Sequence, residues 1–353
     1  MRLERDWVLE KASQTLSNWI MAAYAYHLLS GNNVHCRSIK AATVKKYLLD
    51  VAVFLCRFRD SDPRRVRQWD AGLCPEITKI CKAAQDWEDM PNRKEPFTPE
   101  MLKDCQQRCA NPEALTLLAA IIPWFILALY LGCRGGEWAQ LTNSNRRVGS
   151  HEFNIRRDPR AFLLHDFEFR TADNRRLPIT VALQKDSSHV GRVRIKFRTQ
   201  KNQEHGEEKL IVRNTANPAL CGVVAAISIV KRFYTLLAGV THVPLSVYQG
   251  ADGEVYNITA ADIEGIMRTA AANVYDLDPA KPKDQGFLSD WTSHSLRIGA
   301  CVILYATGFT GEQIQKLLRW KSTAFMDYLR NLAETSRLQN KALNDASTIP
   351  NFL

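Results

Sequence analysis

The 353-residue sequence has no internal repeat, no low-complexity tract, and too little glycine and proline (17 and 14 residues) for a fibrous or disordered chain. Its nine cysteines include no Cys-x-x-Cys pair and sit in apolar or helical surroundings. They read as reduced thiols, neither a disulfide scaffold nor a zinc site. The first eleven residues, MRLERDWVLEK, lack an apolar signal-peptide core, so an intracellular, non-secreted protein is expected. Charge is missing from one long stretch, residues 114–133. Twenty uncharged residues suffice to cross a bilayer, but Pro123 interrupts the run, no second run follows, and charged sequence flanks it on both sides. A buried core helix with no membrane partner is the expectation.

Acidic residues are outnumbered, 37 Asp and Glu against 47 Lys and Arg, which gives a formal charge of +10. An excess of that size favours a polyanionic partner. Residues 143–213 hold 16 of the basic and 9 of the acidic residues, and so +7 of the total. Apolar periodicity predicts helices over 12–29, 39–58 and 76–87. Residues 89–99, DMPNRKEPFTP, carry three prolines and mixed charge and read as a linker, with a boundary near Glu95. Thr98 and Pro99 form an N-cap signal for a helix to 109, followed by the apolar helix 113–132. Strands are expected at 161–169, 177–184, 192–198 and 209–212. The clearest is RVRIKFR, where Val193, Ile195 and Phe197 alternate with Arg192, Arg194, Lys196 and Arg198. Residues 199–208 make the turn of a hairpin. Helices are expected again at 217–237, 259–275, 294–307, 311–319 and 323–341. The fold class is mainly α with a small antiparallel β-sheet (α+β), divided as 1–94, 95–340 and a tail at 341–353.

Chemistry-bearing residues stand at the edges of apolar helices. Arg134 ends the uncharged run and Glu137 follows one helical turn later. His294 and Arg297 form a His-x-x-Arg pair, Trp320 lies 23 residues beyond Arg297, and Tyr328 eight beyond that. In this order and in these elements the set resembles the tyrosine recombinase (phage integrase) family over residues 95–340. Arg134 matches the first arginine, Glu137 the acid that accompanies it, and His294 with Arg297 the His-x-x-Arg pair. Trp320 matches the His/Trp position, with tryptophan as in Cre, and Tyr328 the nucleophile. Lys201 matches the hairpin lysine; Gln200 separates it from Thr199 where the family has lysine directly after threonine, and Lys196 stays open as the alternative.

The residue types fit phosphoryl chemistry without the family name. Guanidinium forks match phosphate oxygens, so Arg134 and Arg297 suit a clamp on developing charge. A tyrosine is a weak nucleophile at its ordinary pKa near 10 and needs an acceptor, for which His294 is the candidate. A lysine among other cations can donate a proton to a leaving sugar oxygen, and the Trp320 indole N–H can reach a phosphate oxygen. Nothing in this scheme calls for a metal or other cofactor. The resemblance implies a site-specific recombinase or integrase of a mobile element, acting through a 3′-phosphotyrosyl intermediate on Tyr328. It further implies a helical core-binding (SAM-like) domain at 1–94, double-stranded DNA as partner, and a tetrameric synapse on DNA formed from a free monomer or weak oligomer. Tail 341–353 would be exchanged between protomers. Lys40, Lys45 and Lys46, with Arg192, Arg194, Lys196 and Arg198, are the candidate DNA contacts. The alternatives are a catalytically inactive DNA-binding protein derived from a recombinase, or a type IB topoisomerase-like enzyme.

Overall fold

The computed structural model describes residues 13–31, 39–57, 61–67, 69–88, 94–139, 147–148, 161–199, 205–238, 240–320 and 323–329. The chain is mainly helical with a small antiparallel sheet. It divides into two compact units, Met1–Pro91 and Asn92–Leu353.

The first unit packs three helices, α1 (Gln14–Leu29), α2 (Ala41–Leu55) and α3 (Pro75–Trp87). Its core is Met21, Ala25 and Leu28 from α1, Val44 and Leu48 from α2, and Ile77 and Cys81 from α3. Ser13 caps α1 by accepting from Leu16 N at 3.2 Å. Lys40, at the N-cap of α2, has no side-chain oxygen to offer; the Ala41 N–H donates to the Glu88 carboxylate instead, at 2.5 Å. Helix α1 departs from a simple amphipathic reading at its first turns: Ser17 and Asn18 join the buried face with Met21, Ala25 and Leu28, while Leu16, Trp19 and Tyr26 face outward. The three lysines of α2 do not share a face. Lys45 is half-buried close to Cys81, Lys40 starts the helix, and Lys46 is exposed opposite the buried stripe.

The second unit is built around α5 (Leu117–Leu131), buried on every side along 119–128. Helices α4 (Pro99–Arg108), α8 (Gly222–Leu237), α9 (Ala260–Tyr275) and α11 (Ser295–Ala306) pack against it or against each other. This surround is why α5 carries no charge, since an unpaired ion there would be stripped of water. Among the described residues no helix is long and apolar enough to cross a membrane. The one-turn helices α6 (Gly135–Trp138) and α7 (Ile179–Ala182), with α10 (Pro282–Leu288) and α12 (Gly311–Leu317), are the other helices of this unit among the described residues.

Strands β1 (Phe167–Arg170), β2 (Arg192–Phe197) and β3 (Glu207–Val212) form an antiparallel sheet in that order, with Phe167 opposite Ile195 and Ile195 opposite Lys209. The alternation expected in RVRIKFR is present, with Val193, Ile195 and Phe197 buried. Two strand expectations are corrected. In 161–169 only Phe167 onward is strand; Leu164–Asp166 is a 3-10 turn whose Asp166 carboxylate accepts from Leu163 N. Residues 177–184 hold α7 instead. Pro178 has no N–H for a ladder, and its carbonyl instead accepts from Val181 N and Ala182 N, which winds the β-branched segment into a turn. A second hairpin, β4 (Val247–Gln249) with β5 (Val255–Asn257), and helix α10 were not foreseen.

Helix α11 approaches the start of the unit closely. Phe97 N donates to Ser295 O, and a Cβ on Gly299 would stand 2.1 Å from Phe97 O. Alanine for glycine inside a helix ordinarily stabilises by up to ~1 kcal/mol. Here Gly299→Ala is expected to destabilise by about 1–3 kcal/mol in urea unfolding because backbone must shift; stability equal to or above wild type would refute the close-approach argument.

Candidate active site

The C-terminal end of α5 builds the first half of the site. Gly132 closes the helix in the left-handed region at φ 56°, and a Cβ there would lie 2.9 Å from Leu318 Cδ2. The turn delivers Arg134 to the N-cap of α6. Trp138 stacks on Trp124 of α5 with ring centroids 5.3 Å apart, which fixes α6 against the core. Glu137, between them in sequence, is 1% exposed. Its carboxylate accepts from Arg134 N at 2.9 Å and Arg134 Nη1 at 3.2 Å. It also accepts from Arg319 Nη2 at 2.9 Å and Nη1 at 3.4 Å.

Arg319 lies in the turn after α12 with φ 58°, a backbone region that non-glycine residues rarely occupy. Its buried guanidinium sits 3.5 Å from the centroid of the Phe197 ring, and Nη2 also donates to Leu131 O at 3.4 Å.

Helix α11 and the following turns build the second half. Arg297 is 1% exposed; its Nη1 donates to Gly132 O and its Nη2 to Arg319 O at 3.4 Å. Its guanidinium lies over the Trp320 ring at 4.3 Å. His294, at the N-cap of α11, shares a 3.0 Å hydrogen bond between Nε2 and the hydroxyl of half-buried Tyr328. The rings of Trp320 and Tyr328 lie 5.6 Å apart. Trp320 Nε1 is buried without a hydrogen-bond partner among the described residues. Tyr328 ends a 3-10 turn, Thr323–Tyr328, where a helix over 323–341 was expected; residues from 330 onward, tail 341–353 included, lie outside the described residues.

Arg134, Arg297 and Arg319 thus surround a single carboxylate, and the cluster carries net positive charge. Burial pushes the Glu137 carboxyl up, but the charge and hydrogen bond of Arg319, with those of Arg134, outweigh it and hold the group below its ordinary range. Arg297 is pushed down to about 10, first by burial and then by the charges of Arg134 and Arg319. It stays charged at neutral pH, in an environment that an added anion would relieve. Burial and the Glu137 charge push the Cys133 thiol up, so it adds no negative charge.

Of the residues nominated from sequence, Arg134, Glu137, His294, Arg297, Trp320 and Tyr328 are joined by this chain of contacts. Lys201 lies outside the described residues. Lys196 is exposed on the sheet face opposite Phe197, beside Glu208 across the ladder. The expected cationic face is a mixed-charge ladder: Arg194 meets Glu208 at 3.2 Å and Glu168 at 3.8 Å, and Glu168 also pairs with Arg170 and Arg176. Arg198 is engaged by Asp166 at 2.8 Å and Ala161 O at 2.7 Å. Arg192 stands half-buried at the β1 end of the ladder opposite Arg170. Sequence reasoning missed Arg319; the available signal was a charge inside the apolar run LLRW.

No family model matches the chain, and no curated protein matches it. Among solved structures it is similar to the Tn1549 transposon integrase in complex with transposon right end DNA, at 12% identity over 96% of this chain and 87% of that one, with a TM-score of 0.45. The XerA recombinase is similar at 14% identity over 94% and 92%, with a TM-score of 0.36. At these identities, function is read from the chain's own residues.

Because the Glu137 carboxyl is held low in the folded protein, it contributes stability above its ordinary value of 4.5 that is lost as pH falls through the lower folded value. Glu137→Gln is expected to be about 3–5 kcal/mol less stable at pH 7, since it strands the buried Arg319 charge. Its stability should also fall less steeply than wild type below pH 4.5. Urea unfolding across pH 7 to about 3 checks both; an unchanged acid slope would contradict the assignment.

Proposed function

We propose that the chain is a tyrosine recombinase, cutting and rejoining double-stranded DNA by transesterification through a 3′-phosphotyrosyl link on Tyr328. The observation that carries this reading is the 3.0 Å contact of His294 Nε2 with the Tyr328 hydroxyl, beside a guanidinium cluster with one carboxylate. A buried excess of positive charge is costly unless an anion completes it. A phosphodiester supplies that anion.

In the proposed reaction the Tyr328 oxygen attacks the scissile phosphorus and its proton passes to His294. The bond from phosphorus to the 5′ oxygen breaks, and that oxygen takes a proton from a lysine and leaves as a free hydroxyl. Arg134 is the more open arginine, its side chain 26% exposed, and meets the phosphate first. Arg297 stands behind it and stabilises charge on the phosphate oxygens as it develops. Trp320 holds Arg297 against its ring and directs its indole N–H to an oxygen of the phosphate.

Lys201 is the proposed acid. Two contacts hold the base of its hairpin against α12 and the turn that follows it to Trp320: Phe197 lies under Arg319, and Lys209 Nζ donates to Lys316 O at 3.1 Å. Lys196 leaves the sheet from the other face. The first unit serves as a core-binding domain in this reading, with Lys40 and Lys46 exposed for phosphate contact. Two sites are brought together by four protomers, assembled on DNA.

Covalent capture tests the reading. Duplexes selected for binding from random sequence are nicked near the bound site and run on a denaturing gel after reaction. Wild type is expected to give a protein–DNA adduct mapped to Tyr328, Tyr328→Phe none, and His294→Ala a rate lower by about 10²–10⁴. Binding without adduct in either protein would instead indicate an inactive DNA-binding protein. Adducts on any duplex, with relaxation of supercoils and no need for a partner site, would indicate a topoisomerase-like enzyme. Binding should weaken steeply with salt, because released counterions drive it; a flat dependence would count against phosphate contact.

A further inference from the structure

We propose that Arg319 is a positioning residue of the active site: by holding both oxygens of Glu137 from below, it orients the Arg134 guanidinium toward the phosphate, and its main-chain carbonyl holds Arg297. The inference rests on the recombinase reading above and deepens it, assigning a role to the one arginine of the cluster that the proposed reaction leaves without one.

Three observations converge on it. First, Arg319 adopts φ 58°, which strains any residue with a Cβ; glycine would adopt it freely. The strain persists because the side chain is fixed at several points: Glu137 through two bonds, Leu131 O, and the Phe197 ring. Second, Glu137 is divided between two arginines of unequal burial. The Arg319 side chain is 0% exposed and that of Arg134 26% exposed, so the buried arginine neutralises the carboxylate and the outer one keeps a free edge. Third, Arg297 Nη2 donates to the Arg319 carbonyl, so the backbone of this one residue touches the second arginine while its side chain governs the first. Phe197, under the guanidinium, is the last residue of the strand that leads toward Lys201. Arg319 therefore joins the α5 end, α6, the hairpin base and the turn to Trp320.

Among the described residues, the charged and titratable groups facing Glu137 are Arg134 and Cys133 on its own segment, Arg319 from the turn after α12, and Arg297 from α11. Removing Arg319 removes the largest favourable influence on the carboxylate. Protonation of Glu137 then releases Arg134 at a higher pH.

The test compares wild type, Arg319→Gly and Arg319→Lys for affinity to the selected duplex, rate of adduct formation from pre-bound complex, and the pH dependence of that rate. Glycine relieves the backbone and removes the fork; lysine keeps the charge and the stem over Phe197 but offers one ammonium. Both variants are expected to bind DNA within about three-fold of wild type. Adduct formation should fall about 100-fold with glycine and about 10-fold with lysine, and the acid limb of the rate profile should move to higher pH, further for glycine. A folded variant that reacts within three-fold of wild type, with its acid limb unmoved, would overturn the proposal and leave Arg319 a packing residue. If the glycine variant does not fold, by its circular dichroism and melting, the lysine variant decides by the same criteria. Absence of an adduct in wild type would instead refute the recombinase reading itself.

Discussion

One carboxylate in a nearly dry setting organises the second unit. Glu137 is the counter-charge to which Arg134 and Arg319 are hydrogen-bonded, and Arg297 lies close enough to feel all three. Such a cluster holds together only with near-ideal geometry, because Glu137, Arg297 and Arg319 have surrendered their hydration. That requirement explains the rigid frame around it: the stacked tryptophans under α6, the left-handed glycine at the end of α5, and the strained backbone at Arg319.

The uncharged helix and the charged site are two parts of one device. Helix α5 ends with carbonyls that have no partner inside the helix, at the negative pole of its dipole. Leu131 O and Gly132 O accept from Arg319 and Arg297 respectively. The guanidiniums thus complete the helix while the helix end helps to hold two positive charges together. The long apolar run in the sequence and the arginine that ends it follow from the same arrangement.

How much of this was legible depended on whether the signal was periodic. RVRIKFR displays its two faces by alternation, and the buried and outer residues fall accordingly. What alternation did not reveal is the partner strand's chemistry: Glu168 and Glu208 convert the outer face from a cationic surface to a ladder of pairs. The segment LPITVALQ is rich in β-branched residues and reads as strand, yet Pro178 turns it into a helical turn. Gly250–Gly253, between two Val-Tyr pairs, carries an Asp-Gly turn signal that would have disclosed the β4–β5 hairpin. The polar residues of the site were legible as a set of types at set spacings. Arg319 was not, because its left-handed backbone has no glycine or asparagine to announce it, and its partner lies 182 positions away.

The opening residues of the second unit run alongside the helix of the site. Glu95 N donates to Asp290 O, Phe97 N to Ser295 O, and Trp291 Nε1 to Pro96 O at 3.1 Å. These stitches span the chain immediately before His294 and reach the first residue of α11. A pull along the polypeptide arriving at Glu95 is therefore resisted first at the base of the helix that carries His294 and Arg297, ahead of the hydrophobic core. Mechanical load and the imidazole that meets the Tyr328 hydroxyl share one anchorage.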